Sequence, residues 1–209
     1  MELRGFYDKI ALEYSNRTSH PTTAAARDKE RELTQQVVID KSYDFVVDIG
    51  CADSSFLKEV KAKTKLGIDL SIEMIKQNSK EVPDGIYILG EFPNIPFLQE
   101  ISDLVHLSFV LDHAQDLSCF LSGISKILKP NGELILANFN PQSMIQLRKG
   151  ERNLRYHSQS GNTYEVESNF SRLLSLDQEL EKYFKICHKM TVDINEEGIK
   201  LDHYLLRKK

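Results

Sequence analysis

The sequence predicts an α/β fold: a mostly parallel sheet with helices on both faces, finished by an antiparallel C-terminal hairpin. Three observations carry this expectation. Short apolar runs alternate with helical periods through residues 22–138, and turn or cap residues separate them. The last two strand-like runs are joined by a four-residue, glycine-containing connection. Strands alternating with helices imply βαβ units, and the right-handed crossover rule leaves few ways to connect them.

Residues 22–38 are rich in Ala, Arg, Glu and Gln and read as a helix with Pro21 near its start. Phe45–Ile49 is a short apolar run closed by Gly50 and reads as a buried strand. Ser54 and Ser55 offer N-cap chemistry for a helix through Phe56, Leu57 and Val60. A second strand spans Lys65–Asp69, and Ser71 caps a helix carrying Ile72 and Ile75. The turn Pro83-Asp84-Gly85 leads to a third strand, Ile86–Leu89. Asp103–Ser108 is the fourth, followed by a loop. Leu117, Phe120, Leu121, Ile124, Ile127 and Leu128 recur at three- and four-residue steps, the mark of an amphipathic helix. Pro130-Asn131-Gly132 ends it, before a fifth strand at Glu133–Asn138.

The last third reads differently. Residues 140–170 are polar and irregular in pattern, with Gly150 and Gly161 as breaks. A helix is expected from about Arg172 to Phe184. Ile186–Ile194 and Ile199–Leu206 then form the hairpin, joined by Asn195-Glu196-Glu197-Gly198.

The length of 209 residues fits a single domain over 1–209, with cap elements from 1–40 and 140–175. A hydrophobic fraction of 41% and a charged fraction of 28% are those of a soluble globular protein. The net charge of -4 lacks the basic excess that phosphate backbones require, so no nucleic-acid partner is expected. Cys51, Cys119 and Cys187 are too few and scattered for a disulfide framework, and no Cys/His cluster has zinc-ligand spacing. No metal is therefore expected. Glu2, Arg4 and Asp8 interrupt the N-terminus, which lacks a signal peptide's apolar core. No run approaches the ~20 apolar residues that cross a bilayer. The expectation is a cytoplasmic protein, monomer or homodimer, with no membrane partner.

In open α/β sheets ligands bind beyond the carboxyl ends of the strands, where the strand order reverses. The first such loop is Asp48-Ile49-Gly50-Cys51-Ala52-Asp53-Ser54. Gly50 permits a tight turn and Ala52 a close approach of ligand to backbone. Asp48 either fixes the loop through backbone hydrogen bonds or faces a cationic ligand group. A dinucleotide site wants G-x-G-x-x-G, so that a pyrophosphate can rest on a bare helix N-terminus. Here one glycine stands with two carboxylates, Asp48 and Asp53, which repel a pyrophosphate and suit an ammonium or sulfonium. Asp69 ends the second strand, 21 residues after Asp48. It is placed to take both hydroxyls of a ribose, or simply to be a solvated strand end.

At these residues the chain resembles the class I S-adenosylmethionine-dependent methyltransferases, in particular the methyltransferase type 11, or ubiquinone-menaquinone methyltransferase-like, group. Val46-Val47-Asp48-Ile49-Gly50-Cys51-Ala52 is similar to their motif I, hydrophobic-hydrophobic-Asp-hydrophobic-Gly-x-Gly-x-Gly. Gly67-Ile68-Asp69-Leu70-Ser71 with Met74 resembles the ribose segment G-x-D-x-S-x-x-M. Gly90-Glu91-Phe92-Pro93-Asn94-Ile95-Pro96-Phe97 resembles G-D-A-x-x-L-P-F, whose acidic residue faces the adenine amino group. The run from Asp103 through Ser108, Phe109, Val110, Leu111, Asp112 and His113 is similar to the fourth-strand segment ending in a His pair. Lys129-Pro130-Asn131-Gly132-Glu133-Leu134 matches the L-K-P-G-G-x-L turn. Phe6-Tyr7-Asp8 and Ala11 to Tyr14 look like the family's N-terminal helix.

The resemblance implies a seven-stranded Rossmann-like methyltransferase sheet and S-adenosylmethionine as cofactor. The implied cofactor contacts are Asp48, Gly50, Cys51, Ala52, Asp69, Leu70, Met74, Gly90, Glu91, Phe92, Leu107, Ser108 and Phe109. Met74 equally suits core packing. Tyr14 and Arg17 are candidates to close over the cofactor, Arg17 by pairing with its carboxylate or else as a solvated helix residue. His113 is a candidate general base or a loop anchor. His157, in the variable region, is a second candidate base or a surface histidine. Ala52 and Ser54 replace the second and third glycines of motif I, Asp112 replaces the first His of the pair, and Glu91 the usual Asp. The expected activity is methyl transfer to a small-molecule acceptor. Alternatives are a non-catalytic adenosyl-ligand-binding member or a nucleic-acid methyltransferase. For the latter, the Asn/Asp-Pro-Pro-Tyr type of motif is absent after the fourth strand, where Ser108-Phe109-Val110-Leu111 stands.

Overall fold

The computed structural model describes residues 2–14, 21–95, 99–149 and 151–209. In chain order the strands are β1 (Tyr43–Ile49), β2 (Ala62–Asp69), β3 (Ile86–Leu89), β4 (Ser102–Ser108), β5 (Leu128–Phe139), β6 (Asn153–His157), β7 (Thr163–Glu167), β8 (Phe184–Asp193) and β9 (Lys200–Lys208). The helices are α1 (Leu3–Ile10), α2 (Pro21–Val38), α3 (Ser55–Glu59), α4 (Ile72–Glu81), α5 (Leu117–Ile127), α6 (Pro141–Leu147) and α7 (Leu176–Tyr183). Seven strands form one sheet in the order β3-β2-β1-β4-β5-β9-β8. β1 to β5 pair in parallel, and β9 runs antiparallel between β5 and β8. The order reverses between β1 and β4, which is the switch point where such sheets bind ligands.

The period of two along each strand divides the core. Val47, Ile49, Leu107 and Leu136 pack with Leu121 and Ile124 of α5 and Leu180 of α7. Val46, Leu104 and Ile135 pack with Val38 of α2 and with Phe56 and Leu57 of α3. Each of these aliphatic side chains contributes roughly 1.5–3 kcal/mol when taken fully out of water. This two-sided burial holds the carboxyl ends of β1, β2 and β4 in register.

The region from 140 to 170 is more regular than its composition predicts. Asn140 caps α6 by accepting the Ser143 N–H at 3.1 Å, and Pro141 stands first in the helix. β6 and β7 then form a separate antiparallel hairpin. Leu154, Tyr156, Tyr164 and Val166 alternate on it and pack against Phe6 and Ile10 of α1. Two short polar strands need an outside partner to bury one face, and that partner is more than 140 residues away in sequence. The helix expected from Arg172 resolves into a 3-10 turn, Phe170–Ser175, followed by α7. Pro130–Gly132 falls within β5, beside a shift in register where that strand meets β4. No helix among the described residues is long and apolar enough to cross a membrane.

Candidate active site

The loop after β1 is shaped by three residues with positive φ: Gly50 (72°), Ala52 (39°) and Ser54 (53°). A Cβ on Gly50 would lie 2.5 Å from Val110 Cγ2, so both its φ and its surroundings require glycine. Ser54 makes no side-chain capping bond to α3, contrary to the expectation from sequence. Its left-handed backbone points the side chain elsewhere, and Asp53 Oδ1 accepts the Ser55 N–H at 3.3 Å instead. Ser71 does cap α4, accepting the Met74 N–H at 3.3 Å.

Asp69 joins the two loops. Its Oδ2 accepts the Ala52 N–H at 3.0 Å and its Oδ1 the Ser71 N–H at 2.9 Å. Burial pushes its carboxyl up to about 6, an effect that these N–H donors only partly offset. Asp69 is thus neither solvated nor idle before any ligand arrives.

A cavity of about 270 Å³ opens over these residues. Tyr14, Gly50, Ala52, Asp69, Leu70, Met74, Gly90, Glu91, Phe92, Ser108, Phe109 and His113 all line it. Among the described residues it has three carboxylates in its wall, Asp69, Glu91 and Asp116, and no Lys or Arg. A second cavity of about 350 Å³ lies between α2 and the β1 loop. The two share Tyr14, Gly50, Ala52, Ser108 and Phe109. Phe109 turns the chain at φ 56°, and its ring packs 4.9 Å from that of Phe139.

Four predicted contacts lie elsewhere. Asp48 and Cys51 line the second cavity rather than the first. Cys51 packs in the core, its Sγ accepting from Asn78 Nδ2 at 3.2 Å, and burial pushes its thiol well up. Leu107 is wholly buried and lines neither cavity. His157 sits exposed on β6, bonded to Thr163 Oγ1 at 3.0 Å, and lines neither cavity. Its strand alternation turns it away from the face that carries Tyr156. Arg17 lies outside the described residues.

Three partnerships at the site had no sequence signal. The first joins Tyr7 on α1 to His113, the Tyr7 hydroxyl lying 2.9 Å from His113 Nε2. His113 Nδ1 faces the Glu167 carbonyl at 2.8 Å. A carbonyl only accepts, so in the neutral imidazole Nδ1 carries the hydrogen and Nε2 accepts from Tyr7. Burial raises the Tyr7 phenol well above its usual range, so its proton stays on at neutral pH. His113 therefore both anchors the loop and offers a basic nitrogen, through Tyr7.

The second is that of Arg27 on α2, whose guanidinium pairs with Asp53, donates to the Tyr14 carbonyl at 3.2 Å and lies 4.8 Å from the Tyr14 ring centroid. It lines the second cavity. The third is that of His106 on β4, held between Asp48 Oδ1 at 2.7 Å and Glu30 Oε1 at 3.0 Å. Phe56 stacks on it with ring centroids 4.1 Å apart. Asp48 thus pairs with His106, a partner different from the backbone donors and the cationic ligand group that the sequence offered as alternatives. Long-range partners of this kind leave no local pattern.

Comparison with known proteins agrees with this architecture. A family model described as a methyltransferase domain matches residues 47–136. The chain is 25% identical over 174 residues to a malonyl-[acyl-carrier protein] O-methyltransferase of Hamiltonella defensa, covering 81% of this chain and 63% of that one. It is 22% identical over 139 residues to a demethylmenaquinone methyltransferase of Thermotoga maritima, covering 65% and 60% respectively. The chain thus spans about three-fifths of the length of these curated relatives. Its fold superposes on N-methyltransferase NodS of Bradyrhizobium japonicum, solved with S-adenosyl-L-homocysteine, with a TM-score of 0.72, 13% identity and coverage of 97% of this chain and 98% of that one. The matched segment contains the switch-point loop, Asp69, Glu91 and His113, which are the residues assembled around the first cavity. Residues 47–136 thus match a methyltransferase domain, and the whole chain has the Rossmann-like methyltransferase fold.

Proposed function

We infer that the protein transfers a methyl group from S-adenosylmethionine to a small-molecule acceptor. The observation that carries this reading is the first cavity, at the switch point, with Asp69 and Glu91 in its wall and no Lys or Arg among the described lining residues. Such a wall suits a cationic adenosyl ligand and opposes a pyrophosphate. Ser108 Oγ supports the fit, being buried where both cavities are lined, with no hydrogen-bond partner among the described residues.

Asp69 would take the ribose hydroxyls, since each carboxylate oxygen keeps a lone pair beyond its backbone bond. Glu91 would accept from the adenine amino group. Arg27, at the end of the second cavity, would hold the carboxylate of the amino-acid tail, the role expected of Arg17. S-adenosylmethionine supplies an electrophilic methyl on a sulfonium that leaves as a thioether. The protein's share is alignment and exclusion of water, worth effective molarities of ~10^5–10^8 M. Where the acceptor must lose a proton, the Tyr7 oxygen takes it while the phenol proton passes to His113 Nε2. His157, remote from both cavities, has no part in this reading.

The acceptors named for the two curated relatives, malonyl-[acyl-carrier protein] and demethylmenaquinone, support a small acceptor or an acceptor moiety of that size. α1, α2, α6 and the β6–β7 hairpin support a single domain with a compact cap. Three free thiols support a reducing, cytoplasmic setting.

Calorimetric titration with S-adenosylmethionine, S-adenosylhomocysteine and NADH tests the assignment. Both adenosyl ligands are expected to bind, NADH is not, and Asp69→Ala should weaken both. A folded protein that ignores both adenosyl ligands would overturn it.

A further inference from the structure

The wall of the second cavity holds a charged chain that the methyl-transfer step does not use. Glu30, Asp48 and His106 are 8%, 3% and 5% exposed. Both ring nitrogens of His106 face carboxylate oxygens, so both must donate. Glu30 Oε1 also accepts from Thr34 Oγ1 at 2.6 Å, and Thr34 Oγ1 lies 3.1 Å from His203 Nε2. Burial opposes the charge on His106, but the two carboxylates outweigh it and hold its pKa at about 10. Burial pushes His203 down to about 4, so it is neutral. Two acids and one imidazolium sum to one negative charge, and moving a proton within the trio leaves that sum unchanged.

Glu30, Asp48 and His106 form part of the second cavity's wall, so an occupant of that cavity meets this charge with little bulk water between them. That cavity meets the first at Gly50, Ala52, Ser108 and Phe109. On the functional reading above, a ligand with its ribose at Asp69 and its tail at Arg27 would carry its sulfur across the residues that the two cavities share. The methyl donor carries a net positive charge there, from its sulfonium. Its demethylated product is a thioether, a zwitterion of net charge zero.

We propose that the buried Glu30–His106–Asp48 chain acts as a specificity device, its net negative charge favouring the sulfonium donor over the neutral thioether product. Its effect is to relieve product inhibition: the transferred methyl removes the positive charge the floor attracts. Glu30 and His106 are positioning residues that touch neither the reacting methyl nor the acceptor. The inference rests on the cofactor assignment above.

The test compares Kd for S-adenosylmethionine and S-adenosylhomocysteine by calorimetry, in wild type and in Glu30→Gln. Glutamine keeps an oxygen for His106 and Thr34 but removes the charge. Donor affinity should fall about three- to tenfold, the scale of one partly buried charge at an effective dielectric of about 20, while product affinity moves less than about twofold. Thr34→Val loses a hydrogen bond but no charge and should leave the ratio of the two Kd values unchanged. Asp48→Asn removes the charge from the other end and provides the same readout should Glu30→Gln not fold. Equal weakening of both ligands, or an unchanged ratio in the charge-removing variants, would overturn the proposal and leave the chain a structural brace. A wild-type protein that binds neither ligand would instead refute the cofactor reading on which it stands.

Discussion

Replacing Asp69 with asparagine should change how ligand binding responds to pH, and the size of the change can be worked from the site. Burial lifts this carboxyl from 3.8 to about 6 in the folded protein. The folded state therefore holds a proton more tightly than the unfolded chain. The stability this group contributes is present below the unfolded pKa and is lost as pH rises through about 6. At about 1.36 kcal/mol per pH unit, that loss is about 3 kcal/mol. A ribose needs the ionised form, because only a carboxylate accepts from both hydroxyls while still holding Ala52 and Ser71. Ligand binding must then expel the proton. At about pH 5.5 a group of pKa about 6 is roughly three-quarters protonated, so S-adenosylhomocysteine should release about that fraction of a proton. Its Kd should fall about tenfold between about pH 5 and pH 7. Calorimetry in two buffers of different ionisation enthalpy measures both quantities. Asp69→Asn should bind more weakly, with the release and the slope gone. Wild-type affinity that is flat across this range, with no proton released, would refute the reasoning.

Gly50→Ala should cost about 2 kcal/mol or more, because it imposes a left-handed backbone on alanine and sets Cβ 2.5 Å from Val110 Cγ2; thermal melts and ligand titration together report it, and an unchanged melt would show that the loop gives way freely. Arg27→Met should weaken S-adenosylhomocysteine about 10- to 100-fold, the worth of a charge-assisted hydrogen bond of about 1.5–3 kcal/mol. Adenosine, which has no carboxylate, should bind Arg27→Met and wild type alike; parallel losses for both ligands would point to collapse of the loop instead. Asp8 Oδ1 accepts from Ser71 Oγ at 2.6 Å and so ties α1 to the loop that carries Asp69. In Asp8→Ala, amide hydrogen exchange over residues 3–10 should accelerate at least severalfold relative to α5, whereas equal protection would mean that Phe6 and Ile10 alone hold the helix down.

The sequence by itself determined the sheet. Runs such as Phe45–Ile49 and Asp103–Ser108 are buried on both faces, so their apolar character is continuous and local. Gly50, Asp69 and Glu91 could be placed at strand ends because a parallel sheet delivers successive carboxyl ends to one edge. The cap was not legible, because β6 and β7 carry only one buried position each, Tyr156 and Val166, and depend on Phe6 and Ile10, which arrive from the far end of the chain. The site's electrostatics were hidden for the same reason. Asp48 and His106 are 58 residues apart and Tyr7 and His113 106 apart, and nothing in the spacing of either pair announces contact. Asp69 became a group of raised pKa only through desolvation, a property of what surrounds it and not of its neighbours along the chain. Local pattern fixes where backbone goes when burial is periodic. Partnerships between polar side chains are decided by which elements the core brings together.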